Sequence, residues 1–279
     1  MKKDPEILRV VSWNLHGARV PGKASRQQQS RAWHYLAALG ADILLLQEVE
    51  WGAIPAFIRD TWSIIPGNEL PELGDAGWGS LIGAPPKLHL RSRKELFTDP
   101  QLRVLYGYVV VAAVDVPAVG TLQLASVHAP ARPVSALARF VKHAADFDST
   151  AIQHLGLAGL EPWCCDLAFD GLRRHLERQR FVISGDWNNA RLFDQTMPHY
   201  KGASAEFFRR CKAHDWFECH GSKGEQCTYL KAGSHPYQLD HTFCDRTSGN
   251  QMVACAVWQD PILHELSDHA PLVTDFRFA

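Results

Sequence analysis

Several features that would place this chain of 279 residues in a special class are missing from it. No apolar run approaches the length of a membrane span, since the longest, from Tyr108 to Val114, stops at Asp115. The first residues, Met-Lys-Lys-Asp-Pro-Glu, carry charge and proline where a secretory signal peptide needs an apolar core. No internal repeat or low-complexity tract divides the chain. We therefore expect no signal peptide, no transmembrane segment and a single domain over residues 1–279.

A strong net charge is also absent, because 29 lysines and arginines face 30 aspartates and glutamates. This balance argues against a strongly basic nucleic-acid-binding protein, although a local basic patch can coexist with a neutral total. The densest basic cluster is Arg91-Ser92-Arg93-Lys94. It has two interpretations: an edge strand protected from unwanted pairing by its charges, or a contact with the phosphate backbone of a nucleic acid.

Cysteine pairs with metal-site spacing are missing as well. The seven cysteines are an odd number and include no Cys-x-x-Cys, which predicts a reducing, cytoplasmic location rather than a disulfide framework. One group of cysteines and histidines could be imagined as a zinc site, but its spacing matches no structural zinc pattern, so we interpret its cysteines as buried thiols. The group consists of Cys211, His214, Cys219, His220 and Cys227.

What the sequence does contain is an apolar run, Phe181 to Gly185, that ends in Asp186-Trp187-Asn188-Asn189. In α/β proteins, ligands collect at the carboxyl ends of sheet strands, where loops hold polar groups above a rigid platform. Strand alternation would put Asp186 and Asn188 on the same side, facing one bound group. Taken alone, the segment is equally compatible with a strand followed by an Asp/Asn turn.

The same arrangement recurs along the chain, which favours a functional site over a chance turn. Apolar segments at 10–13, 43–46, 122–127 and 237–239, and the segment before the last strand, all reach polar side chains. These side chains are Asn14, Glu48, His128, Asp240, Asp268 and His269. We expect them to converge with Asp186 and Asn188 at one edge of a sheet.

Hydrophobic content of 46% is enough to fill one large core or a double-layered one. Periodicity predicts helices at 25–39, 51–59, within 134–179 and at 202–214. It predicts strands at 7–13, 41–46, 61–65, 80–84, 87–97, 102–116, 120–128 and 181–185. The segments 147–162 and 219–237 are interpreted as an insertion at the rim of the site and a long functional loop.

A resemblance to a known family rests on four segments that occur in the same order as in that family. They are Ser-Trp-Asn-Leu-His-Gly, Leu-Gln-Glu-Val, Gly-Asp-Trp-Asn and Ser-Asp-His-Ala-Pro. Between Ser12 and Pro271 the chain resembles the endonuclease/exonuclease/phosphatase superfamily, the metal-dependent phosphoesterases that include deoxyribonuclease I, exonuclease III and neutral sphingomyelinases. The resemblance implies an α/β fold, a four-layered sandwich in which two mostly antiparallel β-sheets lie face to face between helices. It also implies a site at one edge of the two sheets.

Hydrolysis of a phosphate ester needs a cation to neutralise developing charge, and magnesium prefers carboxylates and water as ligands. Together with the resemblance, this predicts Mg²⁺, or Mn²⁺, held by Glu48 and Asp268. Asn14 is expected to bind the metal, its water or a phosphate. The alternative for Glu48 is an acid that caps a helix.

The remaining roles combine phosphoester chemistry with the resemblance. Asp186 would orient or deprotonate the attacking water, and Asn188 would hold that water or the phosphate. A histidine needs a fixed tautomer to act at a phosphate, and Asp240 is expected to fix that of His269. His128 resembles the second histidine of the deoxyribonuclease I and sphingomyelinase branch, which implies that it protonates the leaving oxygen or binds phosphate.

The sequence also departs from some branches of the family. Abasic-site endonucleases usually carry an acid where this chain has His16, and a catalytic tyrosine where it has the His128 segment, so abasic-site repair is disfavoured. Inositol polyphosphate phosphatases typically carry Tyr-Arg after the Gly-Asp-x-Asn unit, where this chain has Asn189-Ala190-Arg191. His16 remains a candidate contact for substrate.

The leading hypothesis is a monomeric, metal-dependent endonuclease or general phosphodiesterase whose substrate is nucleic acid. The site residues, the 91–94 basic cluster and Arg132, a candidate substrate contact, motivate it. The alternative is a phosphodiesterase or phosphatase that acts on a lipid headgroup or a small phosphorylated metabolite, which the neutral overall charge favours. A non-catalytic binding protein is a third hypothesis, disfavoured because every essential position is filled.

Overall fold

The computed structural model describes residues 6–16, 23–70, 77–139, 159–221, 224–231 and 233–278. Two six-stranded sheets dominate it, and each contains one parallel pair of strands among antiparallel neighbours. The parallel pairs matter for function because both strands of such a pair end at the same edge of the sheet.

The first sheet has the strand order β11-β12-β1-β2-β4-β3, with β1 parallel to β2. Its strands, in chain order, are β1 (Ile7–Asn14), β2 (Ile43–Glu50), β3 (Ser63–Pro66), β4 (Trp78–Ala84), β11 (Met252–Val257) and β12 (Leu272–Arg277).

The second sheet has the order β5-β6-β7-β8-β10-β9, with β7 parallel to β8. Its strands are β5 (Arg91–Ser92), β6 (Val109–Val116), β7 (Gly120–His128), β8 (Phe181–Asp186), β9 (Trp216–Glu218) and β10 (Asp240–Asp245).

Helices cover the outer faces of both sheets. The described α-helices are α1 (Lys23–Ala38), α2 (Ala56–Thr61), α3 (Pro100–Val104), α4 (Cys164–Leu176), α5 (Phe193–Thr196), α6 (Ala203–Ala213), α7 (Arg246–Asn250) and α8 (Leu263–Leu266). Among the described residues, none of the helices combines the length and apolarity needed to cross a lipid bilayer.

Two apolar clusters separate these layers. One fills the space between the sheets and under α1, and it joins Trp13 and Trp33 to Val110 and Leu124 of the second sheet. The other packs α4 and α6 against the outer face of the second sheet, around Phe169, Phe207 and Phe243. The result is the four-layered arrangement that the resemblance implied.

The predicted elements differ most from the observed ones between residues 85 and 108. A long strand was expected at 87–97, but 3₁₀ turns at Pro86–Leu88 and Lys94–Thr98 leave only the two residues of β5 paired. The strand predicted at 102–116 begins at Val109, because Pro100 and the Asp99 side chain, which accepts from Gln101 N, start α3. Proline at the first turn and an aspartate cap favour a helix over a strand.

Other predicted segments fall partly outside the described residues. Of the helical region 134–179, the structure shows a 3₁₀ turn at Val134–Arg139 and α4. Of the insertion predicted at 147–162, residues 147–158 lie outside the described part of the chain. The described parts of the 219–237 loop contain no helix or strand, apart from an isolated bridge between Tyr229 and His269.

The basic cluster lies on an edge strand, as one of its two interpretations predicted. Arg91 pairs with Asp115 at 2.6 Å, and Arg93 pairs with Glu95. β5 is three strands away from β8 in the sheet order, so these arginines are remote from Asp186.

Candidate active site

The predicted site residues gather at one edge of the sandwich, where β1, β2, β7 and β8 all end. A cleft of about 560 Å³ opens there. Of the predicted residues, the cleft is lined by His16, Glu48, His128, Arg132, Asp186, Asn188, Asp268 and His269. Asn14 and Asp240 lie directly behind this surface, hydrogen-bonded to residues that line it.

Glu48 is turned toward the cleft by a β-bulge. The pairing of β2 with β4 slips between Leu46 and Val49, and Glu48 has a φ of 52°. Such a bulge re-aims a side chain, and a non-glycine residue with positive φ carries strain that the surrounding structure must support. Support comes from the Asn14 amide, which donates to Glu48 Oε1 at 3.1 Å, and from Gln29, which donates to the Glu48 carbonyl at 2.7 Å.

Asp186 ends β8 as a buried carboxylate with several donors. It accepts from Asn14 Nδ2 at 3.0 Å and from the backbone and side-chain amides of Asn188, both at 2.9 Å. Burial raises its pKa to about 6, and the charge of Asp240 adds to this, whereas the charges of His269 and His128 oppose it. A carboxylate with this pKa can exchange a proton near neutral pH.

Asp186 and Asn188 meet through a turn and not through strand alternation. Asn188 has a φ of 47°, which takes it out of the strand, and its backbone N–H donates to Asp186 Oδ1. This is the Asp/Asn turn considered as the alternative, and the same turn brings both side chains to the cleft.

His269 is held in one orientation by its neighbours. Its Nδ1 lies 2.8 Å from Asp240 Oδ2, and its carbonyl accepts from Trp13 Nε1 at 2.7 Å. Burial would lower the His269 pKa, but the charges of Asp240 and Asp186 raise it to about 10. The ring is therefore an imidazolium at neutral pH, with its Nε2 3.8 Å from Asp186 Oδ2.

Asp240 reaches this position by a route that differs from the predicted one. It was expected to follow an apolar strand, but it is the first residue of β10 and pairs with Asp186 across antiparallel strands. Because β10 runs opposite to β8, its beginning lies at the same sheet edge as the end of β8.

His128 ends β7 beside the two acids. Its Nε2 lies 3.5 Å from Glu48 Oε1 and 3.8 Å from Asp186 Oδ2. Both histidines thus direct Nε2 at the same carboxylate oxygen of Asp186. A phosphoryl group bound over Asp186 would meet both of them.

Asp268 and His16 form a further pair at the cleft, with His16 Nδ1 2.9 Å from Asp268 Oδ1. Asp268 and His269 are neighbours in the chain and both line the cleft, with His269 Nε2 4.0 Å from Asp268 Oδ1. The cleft contains one guanidinium, that of Arg132, among its described lining residues.

Glu48 and Asp268 both present carboxylates to the cleft, and carboxylates are ligands that a hard divalent cation prefers. Asp186, Asp240 and His269 also have ligand atoms within 4.8 Å of one another. Within that trio the His269 ring is already engaged, with Nδ1 2.8 Å from Asp240 Oδ2 and Nε2 3.8 Å from Asp186 Oδ2. Asn14 presents its amide nitrogen to Glu48 and Asp186, while its oxygen accepts from His16 N at 2.9 Å.

Sequence reasoning missed the residues that support and flank the site. His241 is fully buried behind the Asp186 loop, with Nε2 2.9 Å from Asn189 O. Trp78 and Tyr108 pack beside His128, and Tyr229 packs beside His269. The position of His241 directly after Asp240 was its only signal, and the three aromatics are too far apart in sequence to be grouped.

Two further predictions concern sulfur. All seven cysteines are free, and Cys211 and Cys219 are buried as interpreted, whereas Cys227 is only half-buried. Among the described residues, the group around Cys211 and Cys227 does not form a cluster with metal-ligand geometry.

No protein-family model and no curated protein matches the sequence. Solved structures do match the fold. An AP endonuclease from Leishmania major has a TM-score of 0.66 at 16% identity, covering 99% of this chain and 89% of that one. An AP endonuclease from Archaeoglobus fulgidus has a TM-score of 0.61 at 14% identity, covering 96% and 99%. A 3'-5' exonuclease from Neisseria meningitidis has a TM-score of 0.59 at 14% identity, again covering 96% and 99%. The chain therefore has the α/β-sandwich fold of these nucleases, which is the deoxyribonuclease-I-like fold that the resemblance implied.

Proposed function

We propose that this protein is a divalent-metal-dependent phosphodiesterase that cleaves nucleic acid by in-line attack of water. The observation that carries the proposal is the convergence of two histidines on one carboxylate: Nε2 of His128 and Nε2 of His269 each lie 3.8 Å from Asp186 Oδ2. One bound phosphoryl group could then be met by a base and two imidazoles at once.

The choice of nucleic acid as substrate is supported by what the similar structures are called. They are two AP endonucleases and a 3'-5' exonuclease, and each covers 96% or more of this chain. A metabolite or a lipid headgroup remains the alternative substrate. We favour nucleic acid because none of these similar structures is named for a metabolite or lipid substrate.

The metal in this proposal is Mg²⁺, with Mn²⁺ as an acceptable substitute, held by Glu48 and Asp268. When bound, it would neutralise charge that develops on the phosphoryl oxygens. Asn14 supports this arrangement, because its Nδ2 donates to both Glu48 and Asp186 and so sets the distance between two carboxylates.

Asp186 serves as the base that orients and deprotonates the attacking water. Its pKa of about 6 is close to the working pH, where a general base is most effective. Asn188 keeps the carboxylate oriented, since its backbone and side-chain amides donate to different Asp186 oxygens.

The histidines act on the phosphate. His269, kept protonated by Asp240, donates from Nε2 to a non-bridging oxygen and stabilises the charge that builds there. His128 Nε2 is positioned to deliver a proton to the leaving oxygen. His16 and Arg132 line the cleft and are proposed as contacts for the substrate.

The proposal includes action as a monomer in the cytoplasm, a reducing compartment. The reducing compartment is supported by the seven cysteines, which are all free thiols and six of which are buried.

Oligonucleotide cleavage by the purified protein tests the proposal. With Mg²⁺ we expect cleavage, and with a chelator none. Asp186→Asn keeps the shape but removes the base, so kcat should fall by about 100-fold or more. Asp260→Asn, at a half-buried carboxylate that accepts from Tyr35 and does not line the cleft, is the matched control and should leave kcat unchanged. A wild-type protein that cleaves no nucleic acid with any divalent metal would refute the proposal.

A further inference from the structure

Aromatic rings stand on both sides of the phosphate-facing groups. On one side, the Tyr108 and Trp78 rings lie 5.6 Å and 6.3 Å from the His128 ring, centroid to centroid. On the other side, the Tyr229 ring lies 5.3 Å from the His269 ring. The two histidines therefore mark the inner edges of two aromatic walls, with Asp186 between them.

Each of these three rings lines the cleft and is only partly buried, so each presents some ring surface there. Trp78 and Tyr108 also meet edge to face, with centroids 5.6 Å apart. The deeper aromatics Trp163 and Tyr200 differ, because both are buried and stack on each other with centroids 4.1 Å apart and planes at 11°.

The small number of cationic side chains in the cleft argues against binding of a long duplex. A protein that tracks duplex DNA gains most of its affinity by neutralising several phosphates with lysine and arginine. Among the described residues that line this cleft, Arg132 is the one such side chain, and the arginines of the 91–94 cluster are paired with acids at a remote edge. Aromatic ring surface in the cleft therefore offers more for substrate binding than cationic side chains do.

We infer that the cleft takes single-stranded nucleic acid, with unpaired bases on the two sides of the scissile phosphate stacked on Trp78 and Tyr108 and on Tyr229. This inference rests on the proposed function. Stacking on aromatic side chains suits unpaired bases of any sequence, whereas paired bases are already stacked within the duplex. The reaction is the proposed hydrolysis, in which water forms a bond to phosphorus, the ester bond breaks and the leaving oxygen takes a proton.

The test compares one labelled oligonucleotide, free and annealed to its complement, in DNA and RNA arms, with Mg²⁺. We expect kcat/KM to be at least about 10-fold higher on the free strand, because a duplex must first be unstacked. Trp78→Ala and Tyr229→Ala should each raise KM on the free strand by about 10-fold. Tyr229→Phe should restore wild-type KM, since it keeps the ring. Phe57→Ala, at an exposed ring on α2 that does not line the cleft, is the control and should behave as wild type.

The outcomes separate this inference from the proposed function. Equal or better cleavage of the duplex, or alanine variants with unchanged KM, would overturn the inference while the phosphodiesterase activity stands. A wild-type protein that cleaves neither form would refute both.

Discussion

His241 is a fully buried side chain whose two ring nitrogens both face acceptors. Nδ1 lies 3.3 Å from Glu218 Oε1, and Nε2 lies 2.9 Å from the carbonyl of Asn189, which belongs to the loop after Asp186. Burial lowers the His241 pKa, but the hydrogen bond and charge of Glu218 raise it by a larger amount, so the His241 pKa is raised overall. The Glu218 pKa moves down for the same reason, although burial opposes it. His241 thus links β9, β10 and the loop that carries Asn188.

This arrangement makes stability depend on pH. A histidine whose pKa is raised by folding contributes its full stabilisation below its unfolded pKa, about 6.5, and loses it as pH rises through the folded value. Replacing it by glutamine, His241→Gln, removes a charged hydrogen bond. We expect it to cost about 1.5–3 kcal/mol at pH 6 and less at pH 9, measured by urea unfolding.

The control for this prediction is His34→Gln, because His34 is an exposed histidine that contacts a backbone carbonyl within its own helix. Its unfolding free energy should match wild type at both pH values. If His241→Gln cost the same at pH 6 and pH 9, the ring would be neutral in the native protein.

At the scale of elements, the contact between β7 and β8 positions the site. Gly185 pairs with Val127 in parallel register, and a Cβ added at Gly185 would lie 1.9 Å from the Val127 carbonyl oxygen. The φ of Gly185 is 155°, which L side chains rarely adopt. Only glycine lets the two backbones approach this closely, with His128 and Asp186 side by side at their ends.

Gly185→Ala should therefore force these two strands apart. We expect a loss of more than about 3 kcal/mol in unfolding free energy, because the clash is with backbone that cannot rotate away. Urea unfolding measures it. Gly52→Ala, where the nearest atom to the added Cβ is 3.6 Å away on the flexible Arg26 side chain, should change stability by less than about 0.5 kcal/mol. If Gly185→Ala changed the unfolding free energy by less than about 0.5 kcal/mol, β7 and β8 would not be held this closely.

At the scale of the whole molecule, the candidate metal lies at an edge of the sandwich and not within its core. The two apolar clusters are closed without it, and Glu48 and Asp268 face the cleft. Metal removal should therefore stop activity but leave the protein folded.

Thermal unfolding with and without Mg²⁺ checks this expectation. At tenfold excess over Kd, binding contributes about 1.4 kcal/mol, which should raise Tm by about 2–3 °C. Glu48→Gln should abolish most of this shift, because it removes one carboxylate of the site. Unfolding of the wild type by a chelator at ordinary temperature would instead identify a structural metal.

The strands and the site residues followed from the sequence because both are encoded locally. Apolar runs such as 7–13 and 120–128 are long enough to be read as buried strands, and they became β1 and β7. Asp186 and His128 stand immediately after such runs, so their placement at a sheet edge needed no knowledge of the partners. The roles proposed for these residues stay predictions until the variants are measured.

Other features were decided only by tertiary structure, since they depend on contacts between distant segments. The bulge that aims Glu48 exists because β2 and β4 pair out of step, and Asp240 joins the site because β10 runs antiparallel to β8. The strand predicted at 87–97 kept only the two residues of β5, because 3₁₀ turns stand on both sides of them. By itself the sequence determined which polar groups stand at the ends of apolar segments, because strand length and composition are local. Which of those groups touch, and which aromatic rings flank them, was determined by strand order and register, because these bring together residues from distant segments, such as Asn14 and Asp186, 172 positions apart.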